Sequence, residues 1–247
     1  MSADGKFKRL LGRLIGASWF RPLHIGHYVR TLHFRRQWRR LPWRSFRHIL
    51  DAGCGQGDYS QWMARVSPGA EVRAVDICPL PSPVNSPPNL AFVPGDLLRL
   101  DDREKFDFIV SIDVLEHIRG NPRVILNFHQ ALRHGGYLFL HMPDDHEPKR
   151  LLPQRFFREF DRWADHEHVG EHYSLPELSR LLSETGFAVL RSQCTFGRLG
   201  QLAWELDRLT DSHWKIKIIL MPLLKCLAHI SIHTRPRRGG LLLVAQK

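Results

Sequence analysis

The sequence predicts an α/β fold built on a doubly wound, mostly parallel β-sheet, and three observations predict it. A short apolar run ends in Asp51 and passes through three alternate glycines into a helix-like stretch. A second apolar run ends in Asp76, nineteen residues after the last of those glycines. Strand-like and helix-like runs then alternate, as in chains that form parallel sheets. An acid about 20 residues past such a turn is where doubly wound sheets hold a ribose diol, so the chain is predicted to bind a nucleoside cofactor.

The glycine turn consists of Gly53, Gly55 and Gly57. Because glycine has no Cβ, it lets the backbone come within contact distance of a ligand and adopts φ > 0 where the turn needs it. The free N–H groups of the helix that follows point to the same place. The turn is therefore the predicted centre of the binding site.

Seven strands are predicted from short apolar runs bounded by turn residues. They lie near 48–51, 71–76, 90–93, 106–112, 136–141, 187–195 and 240–246. Helices are predicted near 58–66, 97–102, 122–133 and 174–185, with one or two more across 199–232. Asn121 and Pro122 are a favoured helix start. Ser174 and Glu177 form a capping box at another start, and Gly186 ends that helix.

Three stretches are predicted to lie outside the regular pattern. Residues 79–88 hold five prolines and are expected to form a surface loop. Residues 142–172 are too long for a simple connection and are expected to be an active-site insertion. A helical insertion is predicted at 199–235, before the last strand.

The positive charge is concentrated at the N-terminal end. Residues 1–47 hold twelve Lys and Arg residues and one acid, so the whole net charge of +11 lies there. Residues 6–16 have the pattern of a basic amphipathic helix, which lies either on an anionic membrane surface or on the protein's own core. Aromatic residues interleaved with arginines at 19–47 suit lipid headgroups or nucleic-acid bases. These readings stay open.

Composition points to an intracellular protein without a membrane span. The four cysteines are scattered, which fits a reducing compartment. No stretch reaches the roughly 18 apolar residues that a spanning helix needs. The expected location is cytoplasmic, with peripheral attachment to the inner face of the membrane under the first reading of residues 1–47.

Several motifs, in order along the chain, resemble the class I S-adenosylmethionine-dependent methyltransferases. They are the acid and glycines at 51–57, Asp76, Gly95-Asp96, and the run Phe-Asp-Phe-Ile-Val-Ser-Ile-Asp-Val-Leu-Glu-His-Ile at 106–118. The most similar subgroup contains quinone-biosynthesis and sugar or polysaccharide methyltransferases. The acid before the turn fits this resemblance, since it would repel a pyrophosphate and favour the ammonium and sulfonium of S-adenosylmethionine.

The resemblance implies a Rossmann-like class I methyltransferase fold. This fold has a seven-stranded, mostly parallel sheet with an antiparallel last strand, to which the chain adds an N-terminal helical extension and the helical insertion. The expected domain organisation is a basic extension at 1–46 and a methyltransferase domain at 47–247.

The resemblance also implies roles for particular residues. Asp51 and the turn would hold the aminoacyl end of S-adenosylmethionine, Asp76 the ribose and Asp96 the adenine amine. The full set of implied cofactor-binding residues is Asp51, Gly53, Cys54, Gly55, Gly57, Asp76, Ile77, Asp96, Leu97, Ser111 and Asp113. Ile77 would pack on the adenine, Leu97 would donate a backbone amide, and Ser111 and Asp113 would line the methyl-donor side.

His117 and His141 are the candidate general bases, because an oxygen or nitrogen nucleophile must lose its proton. Asp113-x-x-Glu116-His117 also resembles a divalent-metal run of some relatives, but the expectation is no metal. A zinc reading of His166, His168 and His172 is not favoured either, since the spacing matches no closed zinc site and no cysteine is near.

The function expected from these motifs is transfer of a methyl group, by O-methylation of a small-molecule, lipid-linked, quinone or glycan acceptor. One alternative is RNA methylation through the basic N-terminal segment, although no RNA-binding module is present. A second alternative is a non-catalytic adaptor that binds membrane or nucleic acid on the same fold. That reading predicts degenerate cofactor motifs, and here they are intact.

Overall fold

The computed structural model describes residues 24–78, 85–144, 150–234, 236 and 239–247. The amphipathic segment predicted at 6–16 and most of the proline-rich loop predicted at 79–88 lie outside these residues. Within them, no helix is long and apolar enough to cross a bilayer.

The strands and helices follow the predicted order. The strands are β1 (His48–Ala52), β2 (Glu71–Asp76), β3 (Leu90–Pro94), β4 (Phe106–Ile112), β5 (Leu132–Met142), β6 (Ala188–Cys194) and β7 (Leu241–Gln246). The helices are α1 (Ile25–Trp38), α2 (Asp58–Val66), α3 (Asn121–Ala131), α4 (Arg158–Glu167), α5 (Leu175–Glu184), α6 (Gly197–Leu209) and α7 (Trp214–Ser231). Short 3-10 turns lie at Trp43–Ser45, Leu97–Arg99, Leu115–His117 and Gln154–Phe156.

The seven strands form one sheet in the order β3-β2-β1-β4-β5-β7-β6. β7 is antiparallel to both β5 and β6, and the other neighbouring pairs are parallel. The prediction of a seven-stranded, mostly parallel sheet with an antiparallel last strand is confirmed. The carboxyl ends of β1, β2, β3, β4 and β5 therefore meet along one edge of the sheet.

Each face of the sheet carries its own apolar cluster, because successive side chains in a strand point to opposite sides. On one face, Leu50 and Ile109 pack with the buried sides of α3 and α5. On the other, Ile49 and Phe108 pack with α1 and α2. The sheet is thus covered by helices on both sides, as the near-continuous apolar strands require.

Helix α1 belongs to this packing although it lies within the predicted extension. Phe34 and Trp38 are buried and make edge-on contacts with Phe139 and Phe108. The N-terminal half of α1 joins α6 and α7 in a third cluster around Ile25 and Val29. The aromatic residues of this helix are therefore core, while the domain boundary at residue 46 stays a prediction.

Local boundaries differ from the expectation in three places. The helix predicted at 122–133 ends at Ala131, and β5 starts at Leu132, before the glycine pair, with a register shift opposite β4. The short helix predicted at 97–102 is a single 3-10 turn. The stretch 142–172 contains the helix α4, which was not predicted because its many charged residues leave no clear apolar periodicity.

Candidate active site

The glycine turn connects β1 to α2 and is held against β2 by its own backbone. The amides of Gly53 and Cys54 both donate to the carbonyl of Val75, at 2.8 and 3.0 Å. Gly53 has φ of +81°, and an added Cβ there would lie 2.3 Å from Val114 Cγ2. Gly55 has φ of +49°, but nothing lies within 4 Å of where its Cβ would be. The turn is therefore covered by the Val114 side chain at Gly53, while at Gly55 its surface is free for a ligand to approach.

Asp76 faces the open part of the turn from the end of β2. Its Oδ2 accepts a hydrogen bond from the Gly55 amide at 2.9 Å, and its Oδ1 accepts from Cys78 N at 3.2 Å. The next residue, Ile77, is 76% exposed although it is a large aliphatic side chain. An accessible carboxylate and an apolar surface thus lie side by side at the turn.

Asp96 lies at the end of β3, next to Asp76. The parallel pairing of β2 and β3 brings them together, and Gly95 N donates to the Asp76 carbonyl at 2.9 Å. The exposed Asp96 carboxylate accepts from Leu98 N at 2.9 Å. Leu97 is buried beneath it, so only its backbone is close to the carboxylate.

Asp51 and Cys54 are buried on the inner side of the turn. Burial raises the pKa of Asp51 to about 6. The hydrogen bond that its carboxylate accepts from the Ser60 hydroxyl lowers this pKa, but by less than burial raises it. Burial also raises the pKa of Cys54 to about 12. The thiol therefore stays protonated and is a poor nucleophile.

These features fit the nucleoside end of S-adenosylmethionine. A diol needs an accessible carboxylate beside a glycine turn, which Asp76 and Gly55 supply. An adenine needs an apolar surface and an acceptor for its amine, which Ile77 and Asp96 supply. Gly57 completes the turn before α2, and the roles of all these residues in cofactor binding stay predictions.

Asp113 lies immediately after β4, and both of its carboxylate oxygens have partners. Oδ2 is 2.9 Å from Arg30 Nη1 on α1, and Oδ1 is 2.7 Å from His141 Nδ1 at the end of β5. Burial by itself would raise the pKa of Asp113, but the neighbouring Arg30 and His141 outweigh it and lower this pKa to about 2. Asp113 therefore joins three elements as a fixed negative charge.

His141 is buried, and both ring nitrogens have polar neighbours. Nδ1 contacts Asp113, while Nε2 lies 3.2 Å from the hydroxyl of Thr195, which donates to the Gly240 carbonyl at 3.0 Å. This placement favours a positioning role over proton transfer. Ser111 is buried in β4, and its hydroxyl has no hydrogen-bond partner within the part of the chain that the structure describes.

A cavity of about 1620 Å³ opens beside Asp113, between α1, residues 143–144 and 150–172, and α6. Its polar lining includes Arg30, Asp113, Glu116, His117, His141 and Arg208. Its apolar and aromatic lining includes Phe160, Trp163, Phe196, Leu199 and Trp204. Val114, the residue after Asp113, packs against Gly53 of the glycine turn, so the chain passes directly from the wall of the cavity to the turn.

His117 is exposed at the cavity, and its tautomer follows from its hydrogen bond. Nδ1 lies 2.9 Å from the carbonyl oxygen of Glu167, which only accepts, so Nδ1 carries the proton. In the neutral ring, Nε2 is then the basic nitrogen. Of the two candidate bases, only His117 presents such a nitrogen at the cavity.

Ligand atoms of Glu116, His117 and His168 lie within 4.8 Å of one another and could hold a metal ion. Asp113 of the run that resembles a metal site is not part of this group, and its carboxylate contacts Arg30 and His141 instead. His166 and His172 are not part of it either. The expectation of no metal stays a prediction.

Sequence reasoning missed the residues that build the cavity from distant parts of the chain. Arg150 lies over the rings of Phe157 and Trp204, each at 4.8 Å, and its guanidinium contacts Asp161. In the sequence, Arg30 is one of many cations in a basic segment, and no local pattern separates it from the others.

Comparison with solved structures defines the class of fold. The phosphoethanolamine N-methyltransferase 2 of Haemonchus contortus, in complex with S-adenosylmethionine, matches with a TM-score of 0.60 and 17% identity, over 88% of this chain and 52% of that one. An S-adenosylmethionine-dependent methyltransferase from Mesorhizobium loti matches with a TM-score of 0.55 and 21% identity, over 86% and 96%. The chain has the fold of class I methyltransferases.

The family follows from the sequence match. Residues 26–192, more than half of the chain, match the methyltransferase domain family, and the chain belongs to it. It is 31% identical over 117 residues to a trans-aconitate 2-methyltransferase of Deinococcus radiodurans, covering 45% of each. It is 28% identical over 134 residues to the mitochondrial ubiquinone biosynthesis O-methyltransferase of Candida albicans, covering 50% of this chain and 37% of that one. The match thus spans less than half the length of these curated relatives.

Proposed function

We propose that this chain is a methyltransferase that uses S-adenosylmethionine to methylate an oxygen atom of an amphiphilic small molecule, such as a quinone or a lipid-linked compound. The observation that carries the proposal is the junction of two sites. The turn at Gly55, with Asp76 beside it, suits the cofactor. The cavity lined by Asp113 suits an acceptor, and Val114, the next residue, packs on the turn at Gly53. Membership in the methyltransferase family supports the reaction, and the relative named as an O-methyltransferase supports oxygen as the acceptor atom.

The lining of the cavity supports an amphiphilic acceptor. The aromatic side chains of Phe160, Trp163 and Trp204 offer apolar area, while Asp113 and His117 are among many polar and charged groups of the lining. An acceptor with an apolar part and a polar part could make both kinds of contact there.

When bound, S-adenosylmethionine supplies an electrophilic methyl group on a sulfonium. The residues of the chain would position the acceptor and manage its proton. Asp76, Asp96 and the turn hold the cofactor, and the apolar lining excludes water. The acceptor hydroxyl gives its proton to Nε2 of His117. Because Nδ1 donates a hydrogen bond to the Glu167 carbonyl, Nδ1 holds the ring proton and Nε2 is free to accept one.

Calorimetry with S-adenosylhomocysteine tests the cofactor site. We expect Asp76→Ala to weaken binding by about tenfold to a hundredfold, because two hydrogen bonds to a charged group are lost. The matched control is Glu71→Ala, which removes an exposed carboxylate at the other end of the same strand. Equal binding by the wild type and Asp76→Ala, or no binding by the wild type, would contradict the proposal.

Transfer of isotopically labelled methyl groups tests the acceptor class. The protein is incubated with labelled S-adenosylmethionine and, separately, an organic-solvent extract of cells, a water-soluble small-molecule fraction and total RNA. Label in the organic extract supports the proposal, and label in RNA would favour RNA methylation instead. We expect His117→Gln to lower the rate by about a hundredfold or more while His134→Gln, at an exposed histidine of β5, leaves it unchanged. A chelator added to the assay distinguishes proton transfer by His117 from metal binding by it.

A further inference from the structure

Helix α7 has the reverse of the usual polarity for a surface helix. Lys217 and Lys225 are buried on its inner side. Four large aliphatic residues are exposed on its outer side: Ile216 (49%), Ile219 (77%), Leu223 (57%) and Ile230 (48%). We refer to these four residues as the apolar stripe. Single exposed apolar residues are common, but a continuous row of them marks an interaction surface.

The buried lysines fix the orientation of α7. Lys217 Nζ lies 3.0 Å from Asp207 Oδ1 on α6 and also contacts Asp211. Lys225 Nζ lies 5.1 Å from the centre of the Tyr28 ring on α1. Rotating the helix to bury the apolar stripe would break these contacts and expose Met221 and Leu224 of the underlying cluster, so the stripe faces away from the protein.

The stripe runs along the exposed side of a single helix, which has Pro222 in its interior. Ile216 and Ile230 are fourteen residue steps apart, which is about 21 Å of helix. The exposed Cys226 lies on the same side of the helix and adds no charge.

Basic residues lie at both ends of the stripe. α1 runs parallel to α7, since His24 Nδ1 lies 3.2 Å from Lys217 Nζ and Arg36 Nη1 donates to the Ile232 carbonyl at 2.7 Å. His24, the first described residue, therefore lies at the N-terminal end of the stripe, where Lys215 is exposed in the first turn of α7. The sequence before His24 holds five Lys and Arg residues and one acid. At its C-terminal end, Arg39 and Arg40 are exposed beyond α1.

We propose that the apolar stripe docks the protein on the surface of an anionic lipid bilayer, with the basic residues at its ends on the lipid headgroups. Insertion of a row of aliphatic side chains together with attraction of basic residues to anionic lipids is how amphipathic helices bind in the interface. Helices α1 and α6, which pack on α7, line the cavity, so docking places the cavity near the bilayer. This surface is independent of which acceptor the proposed reaction uses.

Vesicle flotation of the full-length protein tests the docking. The vesicles are pure phosphatidylcholine or phosphatidylcholine with 30% phosphatidylglycerol, each in low and high salt. We expect the wild type to float with the anionic vesicles, less so in high salt because screening weakens the attraction. Ile219→Glu should reduce the bound fraction by about tenfold or more, since it places a charge in the centre of the stripe. Leu190→Glu, at an aliphatic residue of β6 that is 47% exposed, is the matched control and should float as the wild type does.

Three results would overturn the proposal. The first is a wild type that floats with neither vesicle. The second is an Ile219→Glu variant that floats as well as the wild type. The third is a dimeric wild type that Ile219→Glu converts to a monomer by light scattering, which would assign the stripe to a second copy of the chain. Circular dichroism and calorimetry with S-adenosylhomocysteine confirm that the variants are folded and separate a failed docking surface from a failed cofactor site.

Discussion

Arg30 Nη1 lies 2.9 Å from Asp113 Oδ2, and this ion pair ties α1 to the carboxyl end of β4 at the edge of the cavity. Both side chains are about one quarter exposed, so water screens the pair only partly. The pair makes α1 part of the site and fixes the charge of Asp113. Val114, the residue after Asp113, packs on Gly53, so the pair also anchors the segment that contacts the glycine turn.

Arg30→Gln is predicted to lower the free energy of unfolding at pH 7 by about 1–2 kcal/mol. The reason is that the pKa of Asp113, now about 2, returns towards its usual value when the cation is lost. A lowered carboxyl pKa contributes stability above the unfolded value near 4, and that stability is lost as the pH falls towards 2. Urea denaturation at pH 7 measures the change, and Arg39→Gln, at an exposed arginine just past α1, should have little effect. A loss of equal size in both variants would contradict the role of the ion pair.

Alanine at the two glycines of the turn is predicted to have different effects. At Gly53 a Cβ would collide with Val114, so Gly53→Ala should destabilise the fold by about 2–4 kcal/mol through strain and overpacking. At Gly55 the Cβ would meet open space, so Gly55→Ala should cost only about 1 kcal/mol. Gly55→Ala should still weaken S-adenosylhomocysteine binding, because the new methyl group occupies the ligand's side of the turn.

Thermal denaturation and calorimetry of these two variants check the distinction. Gly69→Ala is the matched control, since nothing lies within 4 Å of its added Cβ and its φ is not positive. Normal binding by a stably folded Gly55→Ala would show that the ligand does not approach the turn.

The sheet and the glycine turn were predictable because their signals are local. Five of the seven residues at 106–112 are apolar, and the acid that ends β2 lies nineteen residues after the last glycine of the turn. The capping box at Ser174 gave the start of α5, since both partners are three residues apart. The antiparallel last strand came from the family resemblance and not from these patterns.

The cavity was not predictable because its contacts join distant residues. The partner of Asp113 is 83 residues away on α1, and neither residue type identifies the other. Arg150 reads as one more charge in a charged stretch, yet three aromatic rings surround it. His141 and His117 look equivalent in the sequence, and they differ only in burial and in the hydrogen-bond partners that the fold gives them.

Asp51→Asn is predicted to stabilise the protein without ligand and to weaken ligand binding. Burial raises the pKa of Asp51 to about 6, so its ionised form destabilises the fold at higher pH by about 3 kcal/mol. The neutral amide removes this cost and still accepts the hydrogen bond from Ser60. Urea denaturation at pH 8 should show the gain, and calorimetry should show weaker S-adenosylhomocysteine binding, because a carboxylate that favours the ligand's ammonium is lost. Asp101→Asn, at an exposed acid, is the control, and an unchanged stability of Asp51→Asn at pH 8 would contradict the buried charge.

His33 and Asp51 are predicted to offset each other between pH 6.5 and pH 4. Burial lowers the pKa of His33 to about 4, so the unfolded state binds more protons and stability falls on acidification by about 3 kcal/mol. The raised pKa of Asp51 has the opposite sign, so stability rises by about 3 kcal/mol as the pH falls from 6 towards 4. The wild type should therefore show a shallow profile from this pair, whereas Asp51→Asn should lose stability steeply in acid. The His33→Gln variant should instead become more stable as the pH falls, because only the Asp51 contribution remains. Its amide retains a polar partner for Gln193. Urea denaturation at pH 6.5, 5 and 4 measures the three profiles, and parallel profiles would show that neither residue titrates as its burial requires.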